Sequence, residues 1–279
     1  MRLVTARVDG GTRAARLDGE VLTLLPEPTV VELLATEGWR DRVVTATGPE
    51  VQLGSVGLDP VVRPARTVCV GLNYRSHILE TGGEPPSHPA LFAKFPTTLT
   101  GPNDDIALTG ESESVDWEVE LGVVIGERAS RVSVADAGSH IAGYTVVNDV
   151  SMRDWQRRTA QWMQGKNFEA TTPVGPALVT PDELADARDL RLSCAVDGEV
   201  MQDARTSDLL FDPAAIVSYV SSFMTLLPGD LIATGTPSGV GAARDPQVFL
   251  RPGQTVRTSI EGIGSCVNRI VDDMDAVVG

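Results

Sequence analysis

Acidic residues alternate with apolar ones in one short stretch, and this pattern constrains the fold more than any other. The stretch runs from Val115 to Ile125 and carries Asp116, Glu118 and Glu120 at every second position. In a β-strand such residues share one face, about 7 Å apart step by step. An apolar run typical of a protein interior follows. Three acids at the start of such a buried strand cannot all stay ionised without positive charge nearby. A divalent cation supplies that charge most simply, and a solvated acidic strand face is the alternative.

The charge balance and the cysteine count exclude several classes of protein. The 279 residues carry a formal net charge of −15, which argues against nucleic acid and anionic membranes as partners. The first residues lack the apolar run that is typical of a signal peptide, and no continuous apolar run reaches the roughly 18 residues of a membrane span. Cys69, Cys194 and Cys266 are far apart and suit small core residues rather than a disulfide framework or a zinc site. We therefore expect a cytoplasmic protein.

Turn signals and hydrophobic patterns predict two domains. Residues 1–62 read as a small β-rich domain with three short strands and one helix over 29–36, which indicates a structural or dimerisation module. Residues 63–279 read as the catalytic domain. There the pattern predicts a strand over 141–150, a helix over 152–163, strands over 190–196 and 199–203, and a helix over 212–223 with Asp212 as its cap.

Asp149 completes a candidate metal site. It ends its own predicted strand, where a side chain can turn into a cleft. With Glu118 and Glu120 it offers three oxygen ligands, which suit magnesium, manganese or calcium rather than zinc. The alternative for Asp149 is an ordinary turn residue.

Three polar residues downstream could hold a carboxylate. Arg153 and Gln156 are three apart on the predicted helix and so share a face, and Lys166 follows between a glycine and an aromatic segment. Arginine would act as a fork, glutamine as a neutral donor and lysine as a point charge. A solvated surface lysine is the alternative for Lys166.

His77 and Glu80 are the best candidates for proton transfer. They are three apart on a short predicted helix, so the carboxylate can bind one imidazole nitrogen and leave the other free to take a proton from water. Gly-Gly and Pro-Pro pairs over 82–86 follow, which is typical of a mobile lid but also of a surface loop. The glycine-rich stretch 235–241 lacks the features of a phosphate loop, and we interpret it as a tight loop that presents Thr236 to a pocket.

Six ordered motifs together resemble the fumarylacetoacetate hydrolase family over roughly residues 63–270. They are Val70-Gly71-Leu72-Asn73-Tyr74 with His77 and Glu80; Asp116-Trp117-Glu118-Val119-Glu120-Leu121; Gly143-Tyr144 through Asn148-Asp149 with Arg153-Asp154 and Gln156; Gly165-Lys166-Asn167-Phe168; Pro228-Gly229-Asp230 with Gly235-Thr236-Pro237; and Glu261-Gly262-Ile263-Gly264.

The resemblance implies an α+β, mainly β fold: a mixed β-sandwich roll, usually dimeric, that binds Mg²⁺ or Mn²⁺. It also implies roles for three groups of residues: metal ligands, catalytic residues that include a His–Glu pair in a hinged lid, and residues that contact the substrate. They are Glu118, Glu120 and Asp149 as ligands; His77, Glu80 and Lys166 as catalytic residues; and Tyr74, Arg153, Gln156, Lys166 and Thr236 as substrate contacts.

Two positions depart from the family pattern. The fumarylacetoacetase branch carries a further metal-binding aspartate seven residues before its histidine, where this chain has Val70, so fumarylacetoacetate itself is disfavoured as the substrate. A threonine often stands four residues after the family's lysine, where this chain has Ala170. Thr171 follows and could substitute for it.

The acids, the cations and the His–Glu pair lead to a functional hypothesis. We expect a metal-dependent hydrolase that cleaves a carbon–carbon bond in an acylpyruvate or a related 2-oxo-4-acyl acid, with a role in aromatic catabolism. The leaving fragment would be a pyruvate enolate stabilised by the metal. Oxaloacetate decarboxylation and 2-hydroxy-dienoate isomerisation use the same electron sink and are the first alternatives. A non-catalytic, metabolite-binding homodimer is the third.

Overall fold

The computed structural model describes residues 1–272 and is built mainly from β-strands. The first strands are β1 (Arg2–Val8), β2 (Gly11–Asp18), β3 (Val21–Leu24), β4 (Glu50–Gln52), β5 (Gly57–Leu58), β6 (Thr67–Gly71), β7 (Ala90–Lys94), β8 (Leu99–Thr100) and β9 (Ile106–Leu108). The next are β10 (Val115–Asp116), β11 (Val119–Ile125), β12 (Ile141–Asn148), β13 (Ser151–Met152) and β14 (Thr172–Val179). The last are β15 (Arg191–Val196), β16 (Glu199–Arg205), β17 (Leu231–Ala233), β18 (Thr255–Ile260) and β19 (Gly264–Asp272).

The α-helices in this part of the chain are short, apart from the last one. They are α1 (Val30–Leu34), α2 (Trp39–Thr45), α3 (Arg75–Glu80), α4 (Val134–Ala137), α5 (Arg153–Gln156), α6 (Met163–Lys166) and α7 (Pro213–Phe223). Strands of both directions dominate, which confirms the predicted mixed, mainly β architecture.

Two sheets pack face to face. The larger one runs in the order β4-β3-β2-β1-β14-β12-β11-β17-β6-β7, with β5 beside β1 and β8 beside β14. The smaller one runs β16-β15-β18-β19-β9 and packs on β11, β12 and β14. Strand β11 therefore has a paired strand on each side and the smaller sheet packed against it, and all of its residues are buried. Its apolar run is explained by this position, because a strand covered on both faces needs apolar residues on both.

The N-terminal strands extend the larger sheet. Strand β1 pairs with β14, with Arg2 opposite Val179 and Leu3 opposite Leu178. The three predicted strands and the helix after Thr29 are confirmed, and the Thr29 side chain accepts a hydrogen bond from Glu32 N. The domain boundary after residue 62 stays a prediction.

The predicted helix after Asp212 is also confirmed. Pro213 opens α7, and Asp212 Oδ1 accepts a hydrogen bond from Ala215 N at 2.8 Å. The three cysteines are free and buried, as expected. Within residues 1–272, no helix has the length and the apolar character to cross a membrane.

The predicted continuous helix over 152–163 is wrong. Helix α5 ends at Gln156, and α6 begins only at Met163. Between them the Thr159 hydroxyl donates to Gln161 O and accepts from Gln161 N, so a local turn replaces the helical hydrogen bonds.

The prediction of one unbroken acidic strand is also wrong. Strand β10 pairs with β13, whereas β11 pairs with β12 and β17, and Trp117 and Glu118 between them belong to neither strand. The Asp116 carboxylate accepts hydrogen bonds from the backbone N–H groups of Trp117, Gly241 and Ala242. Asp116 is consequently held by that loop and is not part of the cluster of three acids.

Candidate active site

One cavity of about 590 Å³ lies at the end of β11 and contains most of the predicted site residues. Its lining includes His77, Glu80, Glu118, Glu120, Arg153, Gln156, Lys166 and Thr236. Asp149 lies against it through its contacts with Glu118 and Lys166. Residues from six separate segments thus converge on one place, which agrees with the prediction of a common site.

The three predicted metal ligands converge in this cavity. Ligand oxygens of Glu118, Glu120 and Asp149 all lie within 4.8 Å of one another, and all three residues are buried. The sheet register produces this arrangement. Val119 is opposite Asn148, and Asp149 N donates to Glu118 O at 2.9 Å, so the two chain segments bring their acids together.

Burial and neighbouring charge act in opposite ways on two of these acids. Burial would raise the pKa of Glu118, but Lys166 and Arg153 lower it to about 2. Burial raises the pKa of Glu120 well above its ordinary range, and the nearby Asp149 and Glu118 carboxylates raise it further. Within residues 1–272 Glu120 forms no ion pair, and its one side-chain hydrogen bond comes from Gly235 N at 2.8 Å. Glu120 therefore lacks a cation that the other two acids have.

With every side chain ionised, the charges around the cavity do not balance, and either a proton on Glu120 or a further cation offsets the difference. Four carboxylates and three cations are buried together: Asp116, Glu118, Glu120 and Asp149, against Lys94, Arg153 and Lys166. The surplus is one negative charge, on the acid without a cationic partner. Three clustered carboxylates with this surplus fit the donor set of a divalent metal ion with oxygen ligands.

Lys166 is a buried structural cation rather than a surface lysine. Its Nζ lies 2.7 Å from Glu118 Oε2 and 2.8 Å from Asp149 Oδ2, and 5.0 Å from the centre of the Phe92 ring. Burial alone would lower its pKa, but Asp149 and Glu118 raise it. Lys166 therefore stays protonated and contributes positive charge, not a free base.

Lys94 is a buried cation beside the acid cluster that the sequence interpretation missed. It ends β7 with its side chain fully buried, and its Nζ lies 2.9 Å from Asp149 Oδ1 and 2.7 Å from Thr172 Oγ1. A lysine between apolar residues at the end of a strand was the available signal, since a buried lysine is rare unless it is paired.

Arg153 links Asp116 to the acid cluster. Its Nε donates to Asp116 Oδ2 at 2.8 Å, and its Nη1 lies 2.7 Å from Glu118 Oε1 and 3.0 Å from Gln156 Oε1. Its Nη2 is buried and has no hydrogen-bond acceptor within residues 1–272. A fully buried guanidinium with one unused donor at a cavity wall is suited to receive an anion from that cavity.

His77 and Glu80 form the predicted pair at the cavity wall. His77 Nδ1 lies 2.8 Å from Glu80 Oε2, which leaves Nε2 available. The other oxygen, Glu80 Oε1, accepts a hydrogen bond from Gly239 N at 2.8 Å. Helix α3 is thereby attached to the glycine-rich loop that follows β17. The motion of this segment as a lid stays a prediction.

Of the remaining candidate residues, one lines the cavity and two do not. Thr236 lines the cavity, donates to Val119 O and accepts from Gln202 Nε2 at 2.8 Å. Tyr74 is fully buried and is not part of the cavity lining, and burial and Glu120 raise its pKa. Thr171 also lies outside the lining and donates to Phe168 O, so it does not replace the family's threonine at the wall.

Two comparisons place this site in a known context. The family model described as fumarylacetoacetate (FAA) hydrolase C-terminal matches residues 66–271. Among curated proteins, "Oxaloacetate tautomerase FAHD2A, mitochondrial" from Bos taurus is 49% identical over 216 residues, which cover 77% of this chain and 69% of the relative.

The chain is also similar to solved structures of two enzymes. The 2-hydroxyhepta-2,4-diene-1,7-dioate isomerase from Mycobacterium marinum superposes with a TM-score of 0.82 at 37% identity, covering 98% of this chain and 99% of that one. Maleylpyruvate hydrolase from Sphingobium sp. SYK-6, solved with manganese(II) and pyruvate, gives a TM-score of 0.82 at 26% identity over 98% and 99% of the two chains.

Proposed function

This chain belongs to the fumarylacetoacetate hydrolase family, and from that premise we propose that it is a metal-dependent enzyme that interconverts the enol and keto forms of a 2-oxo acid. Oxaloacetate is the first substrate to test. The similarity to oxaloacetate tautomerases and to a hydroxy-dienedioate isomerase favours this activity over the acylpyruvate hydrolysis that the sequence first suggested.

One observation carries the proposal. The buried Arg153 has an unused donor and contacts Glu118, one of three carboxylates whose oxygens lie within 4.8 Å of one another. A 2-oxo acid matches both features, because its carboxylate suits the guanidinium and its carboxylate and oxo oxygens suit a metal ion. A divalent cation held by Glu118, Glu120 and Asp149 would supply Lewis-acid polarisation of those oxygens. Mg²⁺ or Mn²⁺ fits an all-oxygen donor set.

The chain's own residues bind the acid and move the proton. Arg153 and Gln156 hold the carboxylate by hydrogen bonds, and Lys166 adds fixed positive charge close to the same oxygens. In the conversion of enol to keto form, the enol oxygen releases one proton to water and C3 gains one from His77, which solvent then reprotonates. His77 is the proton carrier at C3, because imidazole exchanges protons near neutral pH and Glu80 holds its Nδ1, which leaves Nε2 for the substrate.

The experiment follows the enol and keto forms of oxaloacetate by NMR with Mn²⁺-loaded enzyme. Tautomerisation keeps all four carbons of the substrate, whereas decarboxylation releases CO₂ and pyruvate. We expect faster interconversion with wild type, abolished by excess chelator and reduced about a hundredfold or more in His77→Ala. Unchanged interconversion in His77→Ala would contradict the assigned proton carrier, and no acceleration by wild type would overturn the proposal.

Acylpyruvate hydrolysis is the second candidate, and the His77–Glu80 pair favours it. A histidine whose Nδ1 is held by a carboxylate can activate water as well as carry a proton to carbon. Maleylpyruvate hydrolase, the structural neighbour with manganese and pyruvate, uses substrates of this kind by its name. Release of pyruvate from acetylpyruvate at a higher kcat/KM than oxaloacetate tautomerisation would rank this reaction first. No turnover of any of these acids would leave a metabolite-binding protein.

A further inference from the structure

Arg157 lines the cavity without a partner. It follows α5 directly, its backbone N–H donates to Arg153 O, and its side chain is exposed to solvent. Within residues 1–272 its guanidinium makes no ion pair and no hydrogen bond. The chain has 38 acidic and 23 basic residues, so acidic partners for an arginine are abundant. An arginine on a cavity wall that pairs with none of them has its charge available for an anionic ligand.

Its neighbour Arg158 provides a contrast. The Arg158 guanidinium stacks on the Trp155 ring, with its Cζ 3.4 Å from the ring centre, and it is not part of the cavity lining. Trp155 is itself fixed, since its Nε1 donates to Glu111 O and its ring packs on Phe168. The two adjacent arginines therefore have different roles: Arg158 covers an aromatic ring, and Arg157 faces the cavity.

Two arginines lie at different depths of one cavity. Arg153 is buried beside the acid cluster, whereas Arg157 is on the solvent side. Arg157 is the residue after α5, and its backbone N–H bonds Arg153 O, so it lies one helical turn beyond Arg153. A ligand with one carboxylate on Arg153 has a second cation on the solvent side of the same cavity.

We propose that Arg157 selects 2-oxo acids with a second carboxylate at the end away from the metal site. The inference rests on the proposed function and narrows its substrate class to dicarboxylates. The substrates in the names of the three similar proteins, oxaloacetate, a diene-1,7-dioate and maleylpyruvate, all carry such a second carboxylate. A cavity of about 590 Å³ has room for acids longer than oxaloacetate.

A pair of ligands of equal chain length isolates this charge. 2-Oxoglutarate and 2-oxopentanoate differ only in whether the distal end is a carboxylate or a methyl group. Their binding is measured by calorimetry with Mg²⁺-loaded wild type, Arg157→Gln, Arg157→Lys and Arg158→Gln. The Arg158 variant is the matched control, because it removes the same charge from the next residue, outside the cavity.

We expect wild type to bind 2-oxoglutarate about tenfold more tightly than 2-oxopentanoate, as one charge-assisted contact allows. Arg157→Gln should remove this preference, Arg157→Lys should keep part of it, and Arg158→Gln should keep all of it. High salt should weaken the preference because Arg157 is exposed. A preference that is absent in wild type, or unchanged in Arg157→Gln, overturns the inference.

Enzyme kinetics separate this inference from the proposed function. With oxaloacetate, Arg157→Gln should raise KM while leaving the unimolecular proton transfer nearly unchanged. If the wild type turned over oxaloacetate and Arg157→Gln had the same KM as the wild type, the role of Arg157 would be refuted and the proposed function would stand. No wild-type turnover of any 2-oxo acid would refute the proposed function, while the binding preference would still decide the role of Arg157.

Discussion

Glu80 connects His77 to the loop after β17, through a 2.8 Å hydrogen bond from Gly239 N to Glu80 Oε1. Its other oxygen lies 2.8 Å from His77 Nδ1. One carboxylate thus sets the orientation of the imidazole and attaches α3 to the loop after β17. Removing the Glu80 side chain breaks both contacts, whereas replacing it with glutamine changes only the contact with His77.

Glu80→Gln should reduce turnover with little change in substrate binding. The amide oxygen can still accept from Gly239 N, but the amide nitrogen then donates to His77 Nδ1, so the ring is held as the neutral Nε2–H tautomer rather than as the imidazolium that passes a proton from Nε2 to C3. We expect kcat for oxaloacetate to fall about a hundredfold at nearly constant KM. Glu80→Ala loses both contacts and should also raise KM. Steady-state kinetics check this, and wild-type kcat in Glu80→Gln would contradict the tautomer argument.

Lys94→Met should destabilise the metal-free protein. Lys94 is fully buried and pairs with the buried Asp149, so its removal leaves a carboxylate with one cation fewer. Breaking a buried pair in this way costs about 3–5 kcal/mol. Urea unfolding in the presence of a chelator measures the loss, and Mn²⁺ should recover part of it by binding the folded state. Arg188→Met removes an exposed pair with Asp186 and should leave stability unchanged.

Glu120→Gln should change how stability depends on pH. The pKa of Glu120 is raised in the folded state above the ordinary 4.5, so the metal-free fold holds this proton longer than the unfolded chain does. Its contribution to stability is complete below 4.5 and is lost as pH rises through the folded-state pKa. In chelator, Glu120→Gln should remove this loss and melt at a higher temperature than wild type at pH 8.

The same substitution should weaken metal binding. Mn²⁺ must displace the proton from Glu120, so wild-type affinity should increase with pH while that of Glu120→Gln stays low. Titration with Mn²⁺ at pH 6 and pH 8 measures both. Equal Mn²⁺ affinity in the two proteins at pH 8 would show that Glu120 is not a ligand.

Gly235→Ala should disturb the site through the backbone. Gly235 has φ +100°, and a Cβ there would lie 2.9 Å from Val70 O, while its N–H donates to Glu120 Oε2. Strain of about 1–3 kcal/mol in unfolding free energy is expected, together with weaker Mn²⁺ binding. Gly198→Ala is the matched control, because φ is +85° there but its Cβ would meet nothing within 4 Å. It should lower stability and leave Mn²⁺ affinity unchanged.

The sequence predicted the acid cluster because period-two spacing and strand ends are local features. Glu118 and Glu120 are two apart beside a strand, and Asp149 follows the next one, so antiparallel pairing brings them together. The spacing also included Asp116, which the structure turns towards the loop at 241–242. That loop lies more than a hundred residues later, and no local pattern near Asp116 indicates the bond.

The residues that were missed depend on contacts distant in sequence. Lys94 reaches Asp149 only because β7 and β12 end near each other, and its apolar neighbours in the sequence do not indicate that partner. The break between α5 and α6 depends on a hydroxyl of Thr159 that competes with helical hydrogen bonds, which hydrophobic spacing does not register. Periodicity predicts faces, whereas side-chain partners across the sandwich require the folded chain.

The continuity of β1 with β14 has a consequence for truncation. The family match begins at residue 66, yet β14 is paired by β1 from outside that region. A fragment that lacks residues 1–62 would expose the backbone N–H and C=O groups of Leu178 and Val179, and unpaired groups on an apolar strand are a template for association with other chains. We therefore expect such a fragment to aggregate more readily than the whole chain.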